Sequence, residues 1–431
     1  MAPSSKGVLL SNSHVFPRMR GRLGLGLILG LILALGLTLL PGAAGAKAKG
    51  KKQGHQLTVM TRNLYLGADL TPALQASGIP GAVDAAYQIE QQVHRTKFPS
   101  VRAGLLAKEI KKRKPDVVGL QEAALWRTGP YDLDAVTSGP KATQIDPQAG
   151  DFLSDLLGKL NQGTKKKGKK GATAAKKKKK PALRYRIAVV KQEFDFELPI
   201  NPSGTGGLTP CTTDPSSCHN ERLTMRDAIL VKKGVKISNT SSGTFNTLLQ
   251  VKVGGALPVN VTRGWTAVDV KVNGKKVHVV DSHLEAFDSG SSNTGSDGVT
   301  YPKGGIREAQ AKQLIAPGGP TTSKHPALLI GDFNSDSPVH GDQVDPGDAL
   351  AYRALLAGGW SERAFTPPPF GCCIQDPNLS DPSSTGVTHR VDHIMSNSKK
   401  LKFKKGGLTT TYANGLWSSD HYGLWSQLQV K

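Results

Sequence analysis

The chain has 431 residues, 38% of them hydrophobic, with 49 Gly and 27 Pro. That length and composition allow a sizeable buried core and exclude a collagen-like repeat, a coiled coil and a wholly disordered polymer. The formal charge of +23 is mostly appendage: residues 1–46 contribute four positive charges, residues 47–52 four more and the ten lysines from Lys165 to Lys180 ten, leaving about +5 for the remainder.

Residues 23–40 are eighteen uncharged positions, preceded by Arg18, Arg20 and Arg22 and followed by Pro41 and Ala44-Gly45-Ala46. This is the layout of a signal peptide over 1–46. The alternative is an uncleaved membrane-anchoring helix, since eighteen residues are just within spanning length. The mature chain is expected to be secreted, with a linker over 47–56 and one domain over 57–431. Cys211 and Cys218, with six residues between them, and the adjacent Cys372 and Cys373 fit an oxidising compartment, so at least one disulfide involving Cys211 is expected. Spacing does not choose among the three pairings. A zinc site is the weaker alternative, because His219 is the sole imidazole close to these cysteines.

Alternation predicts a first strand over 57–60, helical spacing covers 83–110, and 116–120 reads as a short buried strand. A helix over 152–160 precedes the Lys/Gly/Ala/Thr run 164–180, which has no hydrophobic face and is expected to be a disordered surface insertion. Strands are predicted over 185–190, 228–232, 265–272, 277–280, 328–330 and 391–395, with a helix over 306–315. Asn273-Gly274 is a hairpin turn signal. Lys399 to Lys405, alternating with Leu401 and Phe403, reads as the solvated face of a strand. The pattern indicates an α/β layered domain with antiparallel content.

Acidic, amide and imidazole residues recur where the apolar runs end. Asn63, Glu122, His283, Asp332 and Asn334 are so placed, Asp392 sits in Arg390-Val-Asp-His-Ile394, and Asp420 and His421 are adjacent near the C-terminus. Carboxylates converging on a sheet edge, without cysteine among them, point to a hard divalent cation and to phosphoryl transfer to water. In order, the segments Met-Thr-Arg-Asn-Leu, Gly-Leu-Gln-Glu, Ser-His-Leu-Glu-Ala, Gly-Asp-Phe-Asn, Arg-Val-Asp-His and Ser-Asp-His resemble the endonuclease/exonuclease/phosphatase superfamily, which includes deoxyribonuclease I, exonuclease III and the neutral sphingomyelinases. The resemblance implies a four-layer sandwich of two packed mixed β-sheets flanked by helices, and a hydrolase acting on phosphoric ester bonds.

It also implies roles. Glu122 is the principal metal ligand for magnesium or manganese, with Asn63 and Asp420 beside it. His421 is the general base oriented by Asp392, Asp332 positions the water, Asn334 holds a phosphate oxygen, and His283 contacts the phosphate or leaving group. The acidic partner of His283 is left open among Glu193, Asp195 and Glu197. Arg226 and Arg263 are expected to bind substrate phosphate; each has a surface ion pair as its alternative. His389 and His393 read as structural or rim residues, and Arg307 and Gln310 as holding their helix against the sheet.

One constellation serves several phosphoesters, so the substrate stays less determined than the chemistry. The basic run favours a nuclease, with anionic-surface binding through Lys165 to Lys180. The segment Ile306-Arg-Glu-Ala-Gln310 is closer to a sphingomyelinase or phospholipase C. A non-catalytic polyanion-binding surface protein is the reading from another class, and it has no need of both His283 and His421. The chain is expected to act as a monomer.

Overall fold

The computed structural model describes residues 56–163, 184–255, 257–272, 274–338, 344–365, 369–384 and 386–431. The expected signal peptide, the lysine run 164–180 and Asn273 lie outside the described residues. Among the described residues no helix is long and apolar enough to cross a membrane.

Period-two burial builds the central layers. In the strand Gln56–Asn63, Leu57 and Val59 enter one core while Met60 enters another; Val117 and Val118 of Val117–Gln121 divide in the same way, as do Ile229 and Leu230 of His219–Lys232. Successive side chains of a strand point to opposite faces, so strands apolar on both faces must be covered on both.

The first sheet runs Leu401–Thr409, Gly423–Val430, Gln56–Asn63, Val117–Gln121, His219–Lys232, Leu125–Pro130 and Gln144–Ile145, with Tyr185–Ile200 also pairing with His219–Lys232. The second runs Ser361–Glu362, Asp392–Ser396, Ala327–Asp332, Lys275–His283, Gly264–Val272 and Lys236–Thr244. Each contains one parallel pair among antiparallel ones. Val268, Val279, Leu328 and Ile394 of the second sheet meet Leu57, Val117, Ile229 and Leu428 of the first in a shared core. The helices Gly78–Arg95, Ala103–Arg113 and Phe152–Asn161 cover the outer face of the first sheet through Ile89, Leu106, Ile110 and Phe152. Gly305–Ile315 and Leu350–Ala357 cover the second through Ala311, Leu314 and Leu355. The result is the four-layer α/β sandwich expected from the resemblance.

Most strand expectations fall inside longer elements. Residues 185–190 are the start of Tyr185–Ile200 and 228–232 the end of His219–Lys232, because these two strands support each other beyond the reach of their apolar alternation. The single helical run 83–110 is instead two helices. Lys97 takes a left-handed φ of 48°, Pro99 follows, and a π-helical turn Phe98–Arg102 separates them. Strand Gly264–Val272 pairs antiparallel with Lys275–His283 down to Val272 opposite Lys275.

Register positions the polar residues. His283 lies beside Asp332, Asp332 beside Asp392, and Asn63 beside Gln121, so the residues that end these strands form two short rows at one edge of the packed sheets.

Candidate active site

Asn63 sits at the junction of the two rows. Its Nδ2 donates to Oε1 of Glu122 at 3.0 Å and to Oδ2 of Asp332 at 2.9 Å, while its Oδ1 accepts from the Tyr65 amide at 2.8 Å. The resemblance makes Asn63 a metal contact; in this arrangement its amide hydrogens hold two carboxylates together. Glu122 is in the left-handed region at φ 55°, which turns its side chain out of the strand, and its Oε2 accepts from the Leu66 amide at 2.6 Å. Burial and the neighbouring Asp420 both raise its pKa.

Asp332 is the focus of the polar cluster. Its Oδ2 lies 3.6 Å from Nε2 of His421 and 3.7 Å from Nε2 of His283, and its Oδ1 accepts from the Asn334 amide at 2.9 Å. Nδ1 of His421 is 2.8 Å from Oδ2 of Asp392. Burial works to lower the His421 pKa, yet Asp392, Asp420 and Asp332 together hold it well above the ordinary imidazole value. Cys372 and Cys373, paired with each other, crowd the same ring, with Sγ atoms 3.5 and 4.0 Å from Nε2. Cys373 also lines a cavity with Tyr65, Glu122, Ile374 and Asp420. Nothing in the spacing of these cysteines announced that they would meet His421. A disulfide involving Cys211 was expected, and its partner is Cys218, with Cα atoms 5.5 Å apart.

Among the described residues His283 has no carboxylate on Nδ1, which corrects the expectation of an acidic partner. NH1 of Arg263 donates to it at 3.0 Å. Asp195 is taken by Arg222 and Thr224; Glu197 accepts from the amides of Lys141 and Ala142; Glu193 is buried with no hydrogen-bond partner among the described residues. A guanidinium has no acceptor, so Nδ1 carries the lone pair and Nε2 the hydrogen. Burial, Arg263 and His421 push the His283 pKa well below 6.5, and the ring is neutral.

The two arginines expected to bind phosphate are used by the protein. Arg263 is 1% exposed between His283 and Glu285. Arg226 bonds the carbonyls of Ala123 and Ala124 and the carboxylate of Asp151, bracing the segment after Glu122. Asn334 donates Nδ2 to the Leu284 carbonyl at 3.0 Å. His393 is buried between Glu362 and the Ser335 carbonyl, and His389 pairs with Asp336. Arg307 bonds Asp288 and the Asn334 carbonyl, and Gln310 bridges the Glu285 amide to the Thr247 carbonyl, as expected of residues that hold a helix.

Two buried arginines were not foreseen. Arg62 reaches Glu109 at 3.2 Å, the Asn63 carbonyl at 3.1 Å and the His421 carbonyl at 2.6 Å, so it ties the first strand to the last loop. Arg102 bonds the carbonyls of Ser418, Leu64 and Tyr65 and lies over the rings of Tyr65 and Phe98. A charge inside an apolar alternation marked Arg62. Arg102 had no such signal.

The donor set fits a hard divalent cation. Glu122 and Asp420 are oxygen donors on one cavity, and their mutual repulsion raises the Glu122 pKa, which is charge that a cation would neutralise.

A sandwich of two mixed sheets with its polar cluster at one edge is the class of architecture that the ordered motifs implied. The family model described as endonuclease/exonuclease/phosphatase matches residues 99–421, and the chain belongs to that family of phosphoester hydrolases. Among solved structures it is similar to a family protein from Leptotrichia buccalis, at 14% identity and TM-score 0.44 over 86% of this chain and 99% of that one. It is also similar to a mannosyl-6-phosphatase from Bacteroides thetaiotaomicron, at 15% and 0.43 over 86% and 99%. A third similar structure is D. rerio TDP2 with a single-stranded DNA product, at 13% and 0.42 over 86% and 98%. No curated protein matches the chain.

Proposed function

We propose that the chain is an exported, divalent-cation-dependent phosphodiesterase acting on nucleic acid. The observation that carries the hydrolytic reading is the His421–Asp392 pair, whose other ring nitrogen lies 3.6 Å from Asp332. Asp392 accepts from Nδ1–H, which leaves Nε2 to take the proton of a water oriented by Asp332. Neutral His283 donates its Nε2 hydrogen to a phosphate oxygen without adding charge beside Arg263. Asn63 keeps Glu122 and Asp332 in register with each other. Glu122 and Asp420 would hold a divalent cation such as magnesium or manganese, which would supply positive charge for the non-bridging oxygens and offset the carboxylates that raise the His421 pKa.

Nucleic acid is favoured by the ten lysines from Lys165 to Lys180, which can replace counterions along a polyanion. Export is supported by the N-terminal layout and by the Cys211–Cys218 bond. The test is incubation of the purified chain, with magnesium or manganese, with plasmid DNA, RNA, sphingomyelin and bis(p-nitrophenyl) phosphate. Nucleic-acid cleavage that disappears in EDTA and in His421→Ala is expected. Hydrolysis of sphingomyelin alone would replace the substrate, and inertness towards all four would overturn the reading. Deleting residues 164–180 should flatten the log–log salt dependence of DNA binding by roughly 0.9 for each phosphate that the lysines neutralise.

A further inference from the structure

Away from the His421 cluster, the helix Gly78–Arg95 crosses the start of the strand His219–Lys232. Three side chains meet there. His219 and Glu221, two apart on a strand, share one face. Glu90 comes from the helix, and its Oε1 lies 2.6 Å from Nε2 of His219. One potential ligand atom from each of Glu90, His219 and Glu221 lies within 4.8 Å of the others. The disulfide between Cys211 and Cys218 ends at the residue before His219 and anchors the backbone there.

Glu221 is the unexplained member. It is 6% exposed, and among the described residues neither carboxylate oxygen has a hydrogen-bond partner. Its other surroundings are the apolar wall formed by Phe194, Leu198 and Leu223. A buried carboxylate without donors is strongly disfavoured unless a cation or a proton compensates it. Burial first, then Asp146, Glu90 and Glu197, raise its pKa to about 10, so without a cation the carboxyl keeps its proton and a bound cation would displace it.

We propose that Glu90, His219 and Glu221 form a structural zinc site that fastens the helix Gly78–Arg95 to the strand His219–Lys232. One imidazole and two carboxylates suit zinc, which accepts N and O donors in a four-coordinate shell; calcium would need six to eight oxygens. Ligand atoms bonded tetrahedrally at roughly 2.0–2.1 Å sit roughly 3.3 Å apart, so small side-chain rotations close the set. Water completes the fourth position. None of the three residues belongs to the group around Asp332, so the site is independent of the hydrolytic reading.

The test strips the full-length protein with chelator and titrates it with zinc by calorimetry, with thermal melts in parallel. Wild type should bind one zinc more than Glu221→Gln or His219→Ala. Its zinc-dependent rise in Tm should be smaller in both variants, by the share this site contributes, and that share should be kept in Glu122→Gln. Without zinc, Glu221→Gln should melt no lower than wild type, because the change removes a buried acid. His219, partly exposed, provides a variant that does not disturb the core. Equal zinc stoichiometry and equal melting shifts in wild type and either variant would overturn the site.

Discussion

The Arg263 guanidinium donates to Nδ1 of His283 at 3.0 Å, a cation where a carboxylate was expected. A carboxylate in that place would favour a protonated ring; the guanidinium favours a neutral one, with its hydrogen on Nε2 facing Asp332. Nitrogen-15 spectra should therefore show the Nε2–H tautomer of His283 at neutral pH. In Arg263→Gln the ring should titrate at higher pH than in wild type, because a positive neighbour has gone, and turnover should fall by roughly tenfold or more. An unchanged titration would show that Arg263 does not govern the ring.

The residues around Asp332 should behave as a unit. Glu122→Gln, Asp332→Asn, His283→Ala and His421→Ala are each expected to lower turnover by at least about a hundredfold with the far-ultraviolet circular dichroism unchanged. Asp392→Asn should be milder, since it orients the ring through Nδ1. Magnesium added to the stripped protein should lower the His421 pKa, because Asp420 and Asp332 help to hold it high. Full activity in EDTA would contradict this arrangement.

Cys373 shares its cavity with Glu122 and Asp420. After reduction, alkylation at Cys373 should abolish turnover in proportion to labelling, because the adduct fills the space beside Nε2 of His421. Cys373→Ser should resist the reagent. An alkylated enzyme with full activity would place the reacting space elsewhere.

His94 and Asp146 should give a pH-dependent contribution to stability. Nε2 of His94 lies 2.5 Å from Oδ2 of Asp146. Burial works to lower the imidazole pKa, but the bond to Asp146 raises it above 6.5; burial works to raise the carboxyl pKa, but His94 holds it below 3.8. The raised His94 stabilises fully below its unfolded pKa and loses that contribution as pH climbs through the folded value. The lowered Asp146 stabilises above its unfolded pKa and loses its share on acidification. The joint contribution is thus largest between about pH 4 and 6.5. Melts of wild type and His94→Gln should differ most near pH 5–6 and converge towards pH 9.

At Gly119 the two sheets approach each other closely. A Cβ there would lie 2.7 Å from Cγ of Asp281 and 2.9 Å from Cδ1 of Ile330, and Asp281 itself accepts from Gln121 Nε2 at 2.6 Å. Gly119→Ala should cost about 1–3 kcal/mol, read as a lower urea midpoint at constant m-value. An unchanged midpoint would mean the sheets can part without penalty.

By itself the sequence determined part of the strand set, missing Leu125–Pro130, Lys236–Thr244 and Gly423–Val430, and the polar residues beside those strands, because alternation is local and a site at a sheet edge needs chemically distinctive side chains there. Asn63, Glu122, His283, Asp332, Asp392, Asp420 and His421 were legible for that reason. Tertiary structure decided their partners. Arg263 reaches His283 through strand pairing, Arg102 reaches Ser418 across 316 residues, and Cys372 meets His421 across 49. None of these contacts leaves a periodic trace, since a long side chain spans layers whose adjacency is fixed only when the sheets pack. The break at Lys97 and the meeting of Glu90 with His219 were hidden likewise: helical spacing reports an apolar face, and the approach of a helix to a distant strand depends on the whole sandwich closing.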